Sequence, residues 1–477
     1  MANVQINAGP RLDRLPLGKF HYRILALISC GGILDTFDIY LAGGVLAAMQ
    51  HEGFATLSQS AAFLSLTFFG MLIGAATAGL LGDRFGRRFS YQFNLILFGV
   101  ASLLAAFAPN MMLVMMCRLV MGIGLGAELI VASGTLGEFI PPRFRGRWAS
   151  VMGLVTSAGL LLATAVGYFV IPAFGWRYMF AIAGVGAVLI LIMRKQLPES
   201  PRWLESVGRA EEAEDTLKKI EADLERQHGP LEPATSVSAL PLPKAPLRDL
   251  FSPQLRGRLF AAASTAIAVN VAVYGFVLWL PVYLSQQGQT VTQSLGLATL
   301  MSFGSVVGSA VGIVIADRVS RRWSIVATAG LIALFGVMHV SAHGEAMVAL
   351  TGFALVCSIY LLSNQGMYSY IPELFPTAFR LRGVGAAGVC ARAVSIAMPY
   401  LSVSLFDRFG MMGVISMINI ALLLMALAII FCGIETRRVP LDDIAPRAPL
   451  EPETGHQSCD LQTLRLPNIP YKKYERS

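Results

Sequence analysis

Gly79-Leu80-Leu81-Gly82-Asp83-Arg84-Phe85-Gly86-Arg87-Arg88 sets four charges and three glycines between two long apolar runs. A worn copy, Ala316-Asp317-Arg318-Val319-Ser320-Arg321-Arg322, lies in the second half of the chain, again between apolar runs. Two further pairs keep the same register. Glu138-x-x-Pro141-x-x-x-Arg145 is echoed by Glu373-x-x-Pro376-x-x-x-Arg380, and Pro198-Glu199-Ser200-Pro201-Arg202 by Ile434-Glu435-Thr436-Arg437. Asp83 and Asp317, Glu138 and Glu373, and Glu199 and Glu435 stand 234, 235 and 236 positions apart. Three unrelated motifs at one near-constant offset mean that the chain is one unit written twice.

The solvent of that unit follows from composition. Of 477 residues, 55% are hydrophobic and 14% charged, and the mean hydropathy is +0.62. Soluble proteins carry about 25% charged residues, so this chain lacks the polar side chains to cover a globular surface and must be solvated by lipid. The net charge of +8 does not point to nucleic acid, because the Lys and Arg cluster in loops. Cys30, Cys117, Cys357, Cys390 and Cys432 sit inside apolar runs and Cys459 in the tail; such cysteines are small packing residues, and neither a disulfide nor a metal site is expected. The six histidines have no metal-ligand spacing. Met1 to Leu17 is polar and the first apolar run holds two aspartates, which is not the pattern of a cleavable signal.

A span of about 30 Å of hydrocarbon needs ~20 residues of helix. Twelve runs qualify: 22–48, 58–82, 89–108, 110–139, 147–172 and 176–194, then 258–286, 290–316, 323–342, 345–372, 379–407 and 411–433. The expected architecture is an all-α integral membrane protein of twelve transmembrane helices in two six-helix bundles. Arg11, Arg14, Lys19 and Arg23 precede the first run, and alternate loops carry Arg84, Arg87 and Arg88; Arg143, Arg145 and Arg147; Arg318, Arg321 and Arg322; and Arg380 and Arg382. Positive loops stay cytoplasmic, so both termini are expected inside. The domain plan is a cytoplasmic arm over 1–21, bundles over 22–194 and 258–433, a cytoplasmic linker over 195–257 and a disordered cytoplasmic tail over 434–477. Within the linker, Glu211 to Arg226 reads as an amphipathic helix with Leu217, Ile220 and Leu224 on one face. Pro230, Pro233, Pro241, Pro243 and Pro246 then stop it, giving a tether between the halves.

The first motif resembles the signature loop between the second and third helices of the major facilitator superfamily. Pro198-Glu199-Ser200-Pro201-Arg202-Trp203-Leu204 resembles the sequence after the sixth helix of its sugar-porter-like branch, and Glu435-Thr436-Arg437-Arg438 the motif after the twelfth. The resemblance covers about residues 22–445 and implies two bundles related by an axis along the membrane normal.

Charges inside the runs are the informative residues, since each costs about 2.5–3.5 kcal/mol at a helix centre on the insertion scale. Asp35 and Asp38, at i and i+3 of the first run, share a helix face roughly 20–24 Å from its start. Two neighbouring carboxylates in a medium of low dielectric do not both ionise cheaply, which suits a proton carrier; the alternative is static pairing with arginines. The fourth run carries Arg118 and Glu128, with Gly122 and Gly126 spaced for close helix approach. The eleventh carries Arg392. An arginine in lipid keeps its proton and must face an acid, a carbonyl or an anionic substrate. Asp35, Asp38 and Glu128 are therefore the proton-coupling candidates. Arg118 and Arg392 are either their counter-ions or substrate contacts. Ser363, Asn364 and Gln365 of the tenth run, with Tyr360 and Tyr368, and Tyr274 of the seventh, with Asn270, Trp279 and Tyr283, are candidate cavity walls; helix–helix hydrogen bonding is the alternative use.

The loop motifs read as a cytoplasmic gate: Asp83, Arg84, Arg87, Glu138, Arg145, Glu199 and Arg202 in the first half, and Asp317, Glu373 and Arg380 in the second. Asp83 is expected to cap the start of the third run and to act as a latch, and Arg143 and Arg147 to anchor their loop. The second copy has Ser320 where the first has Gly86, which makes it the weaker latch.

The helix 1 acids also resemble the Asp-Gly-aromatic-Asp motif of proton-coupled aromatic-acid symporters and their nicotinate-type relatives, with Thr36 in place of the glycine. Arg392, after Arg380-x-Arg382-Gly383-x-Gly385, matches the arginine placement of those families, which implies a carboxylate substrate. The seventh run lacks the Gln-Gln pair of sugar porters. The expected protein is thus a monomeric secondary transporter in the cell membrane, working by alternating access, whose partners are protons, a small organic acid and lipid, with no cofactor. An uncoupled facilitator or symporter of a neutral metabolite, and a transporter-like sensor, are the other readings. No His-Glu-x-x-His, Gly-x-Ser-x-Gly or Walker loop is present, so neither a membrane enzyme of those kinds nor an ATP-driven pump is indicated.

Overall fold

In a computed structural model, residues 6–233, 250–253, 255–316, 318–375 and 379–436 are described. The tail beyond 436, most of the proline-rich linker and Asp317 lie outside them, so the expected disorder and tether have no counterpart here. The first half comprises α1 (Ala8–Asp13), α2 (Lys19–His51), α3 (Leu57–Phe85), α4 (Arg87–Ala106), α5 (Met111–Phe139), α6 (Pro142–Phe174) and α7 (Arg177–Arg194). Two short helices, α8 (Pro201–Ser206) and α9 (Ala210–His228), follow. The second half comprises α10 (Arg256–Gly275), α11 (Leu280–Gln286), α12 (Val291–Ala316), α13 (Arg321–Val340), α14 (Glu345–Ser363), α15 (Ile371–Glu373) and α16 (Arg380–Cys432).

Among the described residues, eleven helical segments are long and apolar enough to cross a membrane. The last is compound: Gly410, at φ 61° and ψ −154°, is non-helical inside α16. A φ in that region is open to glycine at little steric cost, so the break falls between the eleventh and twelfth runs expected from the sequence. The seventh run also breaks, through a 3-10 turn over Val277–Trp279, and the tenth continues from α14 as a π-helical stretch over Asn364–Tyr370.

The written repeat reappears as packing. In the first half α2 lies against α6, α3 against α5 and α4 against α7; in the second, α10 and α13 lie against α16 and α12 against α14. The halves meet chiefly through α6 with α12 and α3 with α16. Close approach in each half rests on glycine. A Cβ on Gly74 would stand 2.0 Å from the Ile123 carbonyl oxygen, and one on Gly126 2.0 Å from that of Met71. In the second half a Cβ on Gly308 would stand 2.1 Å from the Cys357 oxygen.

A second apolar core sits at the cationic end. Leu12 and Leu15 of the arm pack with Trp203, Leu204, Leu217, Ile220 and Leu224, so α9 does bury the face expected of it. The first part of the linker is thus fastened to the first half, not a free tether. Polar contacts reinforce the clasp. The Glu205 carboxylate accepts from the backbone N–H of Ile6, Asn7 and Ala8 at 3.0, 2.9 and 3.0 Å. Arg11 pairs with Glu214 and Glu221 at 2.5 and 2.6 Å, and Arg14 with Glu221 at 2.7 Å.

Burial alone would push the Glu221 carboxyl up, but Arg11 and Arg14 hold it below the usual carboxylate range. A carboxyl depressed in the folded state stabilises above its unfolded value, about 4.3 for Glu, and loses that contribution as pH falls through the folded value. The clasp is therefore expected to hold at neutral pH and to loosen below about pH 4. Hydrogen exchange over residues 8–15 in purified protein checks this. Glu221→Gln should expose those amides already at neutral pH, and equal protection in both proteins at both pH values would refute the assignment.

Candidate coupling and substrate site

The middle of α2 carries the functional charge, and the structure separates its two acids. Asp38 faces α5, where Arg118 Nη1 donates to Asp38 Oδ2 at 2.7 Å and Nη2 to the Asp38 carbonyl at 3.2 Å. Both side chains are fully buried. The guanidinium also lies over the Phe63 ring, 4.7 Å from its centroid. Arg118 is thus the counter-ion of Asp38, one of the two uses open to it from sequence. Asp35, one turn earlier, is only partly buried and makes no hydrogen bond or ion pair among the described residues. Its electrostatic neighbours are Glu128, Arg194 and Asp38.

Arg194, the last residue of α7, pairs with the buried Glu128 of α5. Its Nε donates to the Leu27 carbonyl at 3.2 Å and its Nη2 to that of Ile28 at 3.4 Å. The ring of Tyr91 stands 4.5 Å away. Gly31 makes room for the pair, since a Cβ there would stand 1.9 Å from Arg194 Nη2 and 2.8 Å from Glu128 Oε1. Sequence reading missed Arg194 because, next to Lys195 at the end of an apolar run, it looks like an interfacial anchor.

Some of the contacts between the halves are aromatic. The Tyr360 hydroxyl of α14 donates to that of Tyr40 of α2 at 2.5 Å. Tyr274 of α10 packs against Phe68 of α3 with centroids 4.4 Å apart. Tyr368 is 46% exposed and lies within electrostatic reach of Tyr274 and Arg392. Arg392 is partly buried, and the contact recorded for its Nη1 is the Met71 sulfur at 3.7 Å. It pairs with no carboxylate among the described residues.

Other candidate walls face helices. The Gln365 side-chain oxygen accepts from Thr328 at 3.2 Å and its amide donates to Ser324 at 2.8 Å. Asn364 is buried against Gly312, and Ser363 is half-buried at the end of α14. Asn270 accepts from Ser395 at 3.0 Å, and the Tyr283 hydroxyl donates to the Gly275 carbonyl at 2.9 Å. The bonds of Gln365 and Asn270 are the helix–helix bonds named above as the alternative, while the Asn364 amide nitrogen is buried without a partner among the described residues.

The halves join along one side of this layer. Gln286 donates to Gln50 at 3.0 Å, beyond Tyr40 on α2. Toward the cationic end, a Cβ on Gly79 of α3 or on Gly385 or Gly388 of α16 would meet nothing within 4 Å, and Val389 and Cys390 are exposed.

The three repeated motifs converge there, once in each half. Arg87 pairs with Glu138 at 2.8 Å, and Glu199 Oε1 accepts from the Arg87 N–H at 2.9 Å. In the second half Arg321 pairs with Glu373 at 2.6 Å, and Glu435 accepts from the Arg321 N–H at 3.1 Å. The expectation that Asp83 caps the third run is corrected. Asp83 lies in the last turn of α3 with its side chain 80% exposed, bonded to Arg87 at 3.1 Å. The N-cap of α4 is Gly86, at φ 92°, and Glu199 supplies the carboxylate that a helix N-terminus favours. Arg202 donates to the Glu138 carbonyl at 3.1 Å and pairs with Asp13 at 2.6 Å. Arg84 is exposed beside Phe85. Each of these described contacts lies within one half or the other, bracing that half. The side chains of Arg145 and Arg380, and Asp317, lie outside the described residues.

Comparisons with known proteins agree with this architecture. The profile of the family described as "Sugar (and other) transporter" matches residues 24–447. The chain is 34% identical to "Inner membrane metabolite transport protein YdjE" of Escherichia coli over 442 residues, 92% of this chain and 98% of that one. It is 29% identical to "Niacin transporter NiaP" of Acinetobacter baylyi, covering 91% of this chain and 98% of that one. Among solved structures, a partially occluded inward open conformation of the xylose transporter XylE from E. coli superposes with a TM-score of 0.66 at 21% identity, covering 86% of this chain and 97% of that one.

Proposed function

The chain belongs to the sugar (and other) transporter family of the major facilitator superfamily, and on that premise we propose that it is a proton-driven symporter of a small aromatic carboxylate of the nicotinate kind. The eleven long helical segments, one interrupted at Gly410, read as twelve crossings. With arginine-rich loops inside, both termini are cytoplasmic.

Arg392 carries the substrate reading. A guanidinium in the membrane keeps its charge and is retained with an anionic partner or a purpose. Arg392 lacks a carboxylate partner among the described residues, touches Met71 of α3 and lies within electrostatic reach of Tyr368, which is itself in reach of Tyr274. A planar acid would place its carboxylate on Arg392 and its ring among these aromatic faces, which favour offset or edge contacts. The relative named as a niacin transporter supports the same class. XylE, a xylose transporter, offers the sugar alternative. Asn270 and Gln365 argue against it, because their amides are engaged by neighbouring helices. Coupling falls to Asp35, Asp38 and Glu128, the acids inside the first bundle, of which Asp38 and Glu128 are buried.

Radiolabelled nicotinate uptake into vesicles with an imposed pH gradient tests the proposal. Wild type should accumulate nicotinate, and Arg392→Gln should weaken its affinity by about 10–100-fold, the worth of a charged hydrogen bond. Unchanged affinity, or equal competition by xylose, would overturn the acid reading. Uptake that ignores the gradient leaves a facilitator, and binding without uptake leaves a sensor.

A further inference from the structure

The buried charges of the first bundle do not sum evenly. Asp38 and Arg118 form a fully enclosed one-to-one pair: Arg118 donates to Asp38 Oδ2 and to the Asp38 backbone carbonyl, and Asp38 Oδ1, like Glu128 Oε2, is buried without a partner among the described residues. Beside it, Glu128 pairs with Arg194, while Asp35, one helical turn along α2 from the Gly31 position against which that pair packs, has no cation of its own among the described residues. We propose that Asp35, Glu128 and Arg194 form a second proton site, in which one proton is shared between the two carboxyls at the expense of neither ion pair. The inference rests on the proton-driven reading only for its use in transport; the site itself follows from the charge count.

Three observations place the proton. Glu128 gives Oε1 to Arg194, while its Oε2 is buried without a partner among the described residues. Such an orphaned carboxylate oxygen is costly unless it meets a donor, and a protonated carboxyl is one. Asp35 follows Gly31 by one helical turn on the same face, and the Gly31 Cβ position stands 2.8 Å from Glu128 Oε1. The Asp35 carboxyl is thus the next group up α2 from the Glu128–Arg194 pair. Asp35 also keeps accessible surface, whereas Asp38 has none and Glu128 is 2% exposed. Asp35 is thus the member of the three with residual accessible surface.

No other group nearby supplies the missing positive charge. Among the described residues, α2 presents Asp38, already matched by Arg118 of α5, and α4 presents Tyr91, a neutral phenol. Two adjacent carboxylates in a medium of low dielectric hold a proton between them when only one cation faces them. The proton comes from water at Asp35 and returns there, so the bonds broken and formed are O–H bonds alone. Its departure sets Asp35 in competition with Glu128 for Arg194. Because Arg194 also holds the Leu27 and Ile28 carbonyls, that competition acts on the seam between α2 and α7.

Infrared difference spectroscopy of the purified protein, titrated around neutral pH, tests the site without a substrate. Wild type should show the carbonyl band of a protonated carboxyl. Asp35→Asn and Glu128→Gln should each abolish it, because removing either acid leaves the other balanced by Arg194. A band that persists in both variants, or is absent from wild type, overturns the proposal. Either variant alone suffices if the other does not fold. In reconstituted vesicles the same variants should lower the number of protons carried per nicotinate; an unchanged ratio overturns the site's part in coupling. If the band behaves as expected but wild type ignores the pH gradient, the proton site stands and the proton-driven reading falls.

Discussion

Arg118→Leu is expected to leave little folded protein. The substitution strands the Asp38 carboxylate in a site with no accessible surface, and removes the guanidinium packed over Phe63 and Phe180. Removing one partner of a buried pair costs about 3–5 kcal/mol, against a total stability of roughly 5–15 kcal/mol for ordinary domains. The pair itself contributes far less than its rupture costs, because both charges had to leave water. Asp38→Asn combined with Arg118→Leu should therefore recover much of the loss. Thermal unfolding of the purified single and double variants measures the coupling. A single variant as stable as wild type would show that the charge is compensated elsewhere.

The second large effect lies between α3 and α5. Gly126→Val would drive a side chain into the Met71 carbonyl, and Gly74→Val into that of Ile123. The obstruction is backbone, which cannot rotate away as a side chain can. Overpacking typically costs about 1–3 kcal/mol, occasionally more, and each of these changes is expected at or above the top of that range. Gly137→Ala, where a Cβ meets nothing within 4 Å, should be neutral or stabilising by about 0.5–1 kcal/mol, since alanine favours helix. Expression and melting temperature in detergent separate the two kinds of glycine. Equal behaviour of Gly126→Val and Gly137→Ala would refute the close seam.

The frame was legible because lipid imposes it. Apolar length gave the expected spans, and the observed helices begin and end within a few residues of them for most runs. The constant offset of three motifs was legible as duplication. Its spatial meaning was not, because nothing in the spacing says that Arg87, Glu138 and Glu199 come to one point. The capping role went to Asp83 by proximity in sequence, whereas the residue that performs it lies 112 positions from Arg87. Asp35 and Asp38 looked equivalent on a helix face; a rotation of about 300° between i and i+3 sends one to Arg118 and leaves the other open. Arg194 was hidden by its terminal position. Side-chain partners across helices depend on rotation and tilt, which hydropathy does not encode.

The clasp between the arm and α9 also bears on the order in which the chain is assembled. Arg11 and its partner Glu221 are 210 positions apart, so at synthesis rates of about 5–20 residues per second the arm waits roughly 10–40 s for its acids. During that time six hydrophobic segments must enter the bilayer while Leu12 and Leu15 remain uncovered. Closure of the clasp thus reports that the first bundle has been completed before the second begins to emerge.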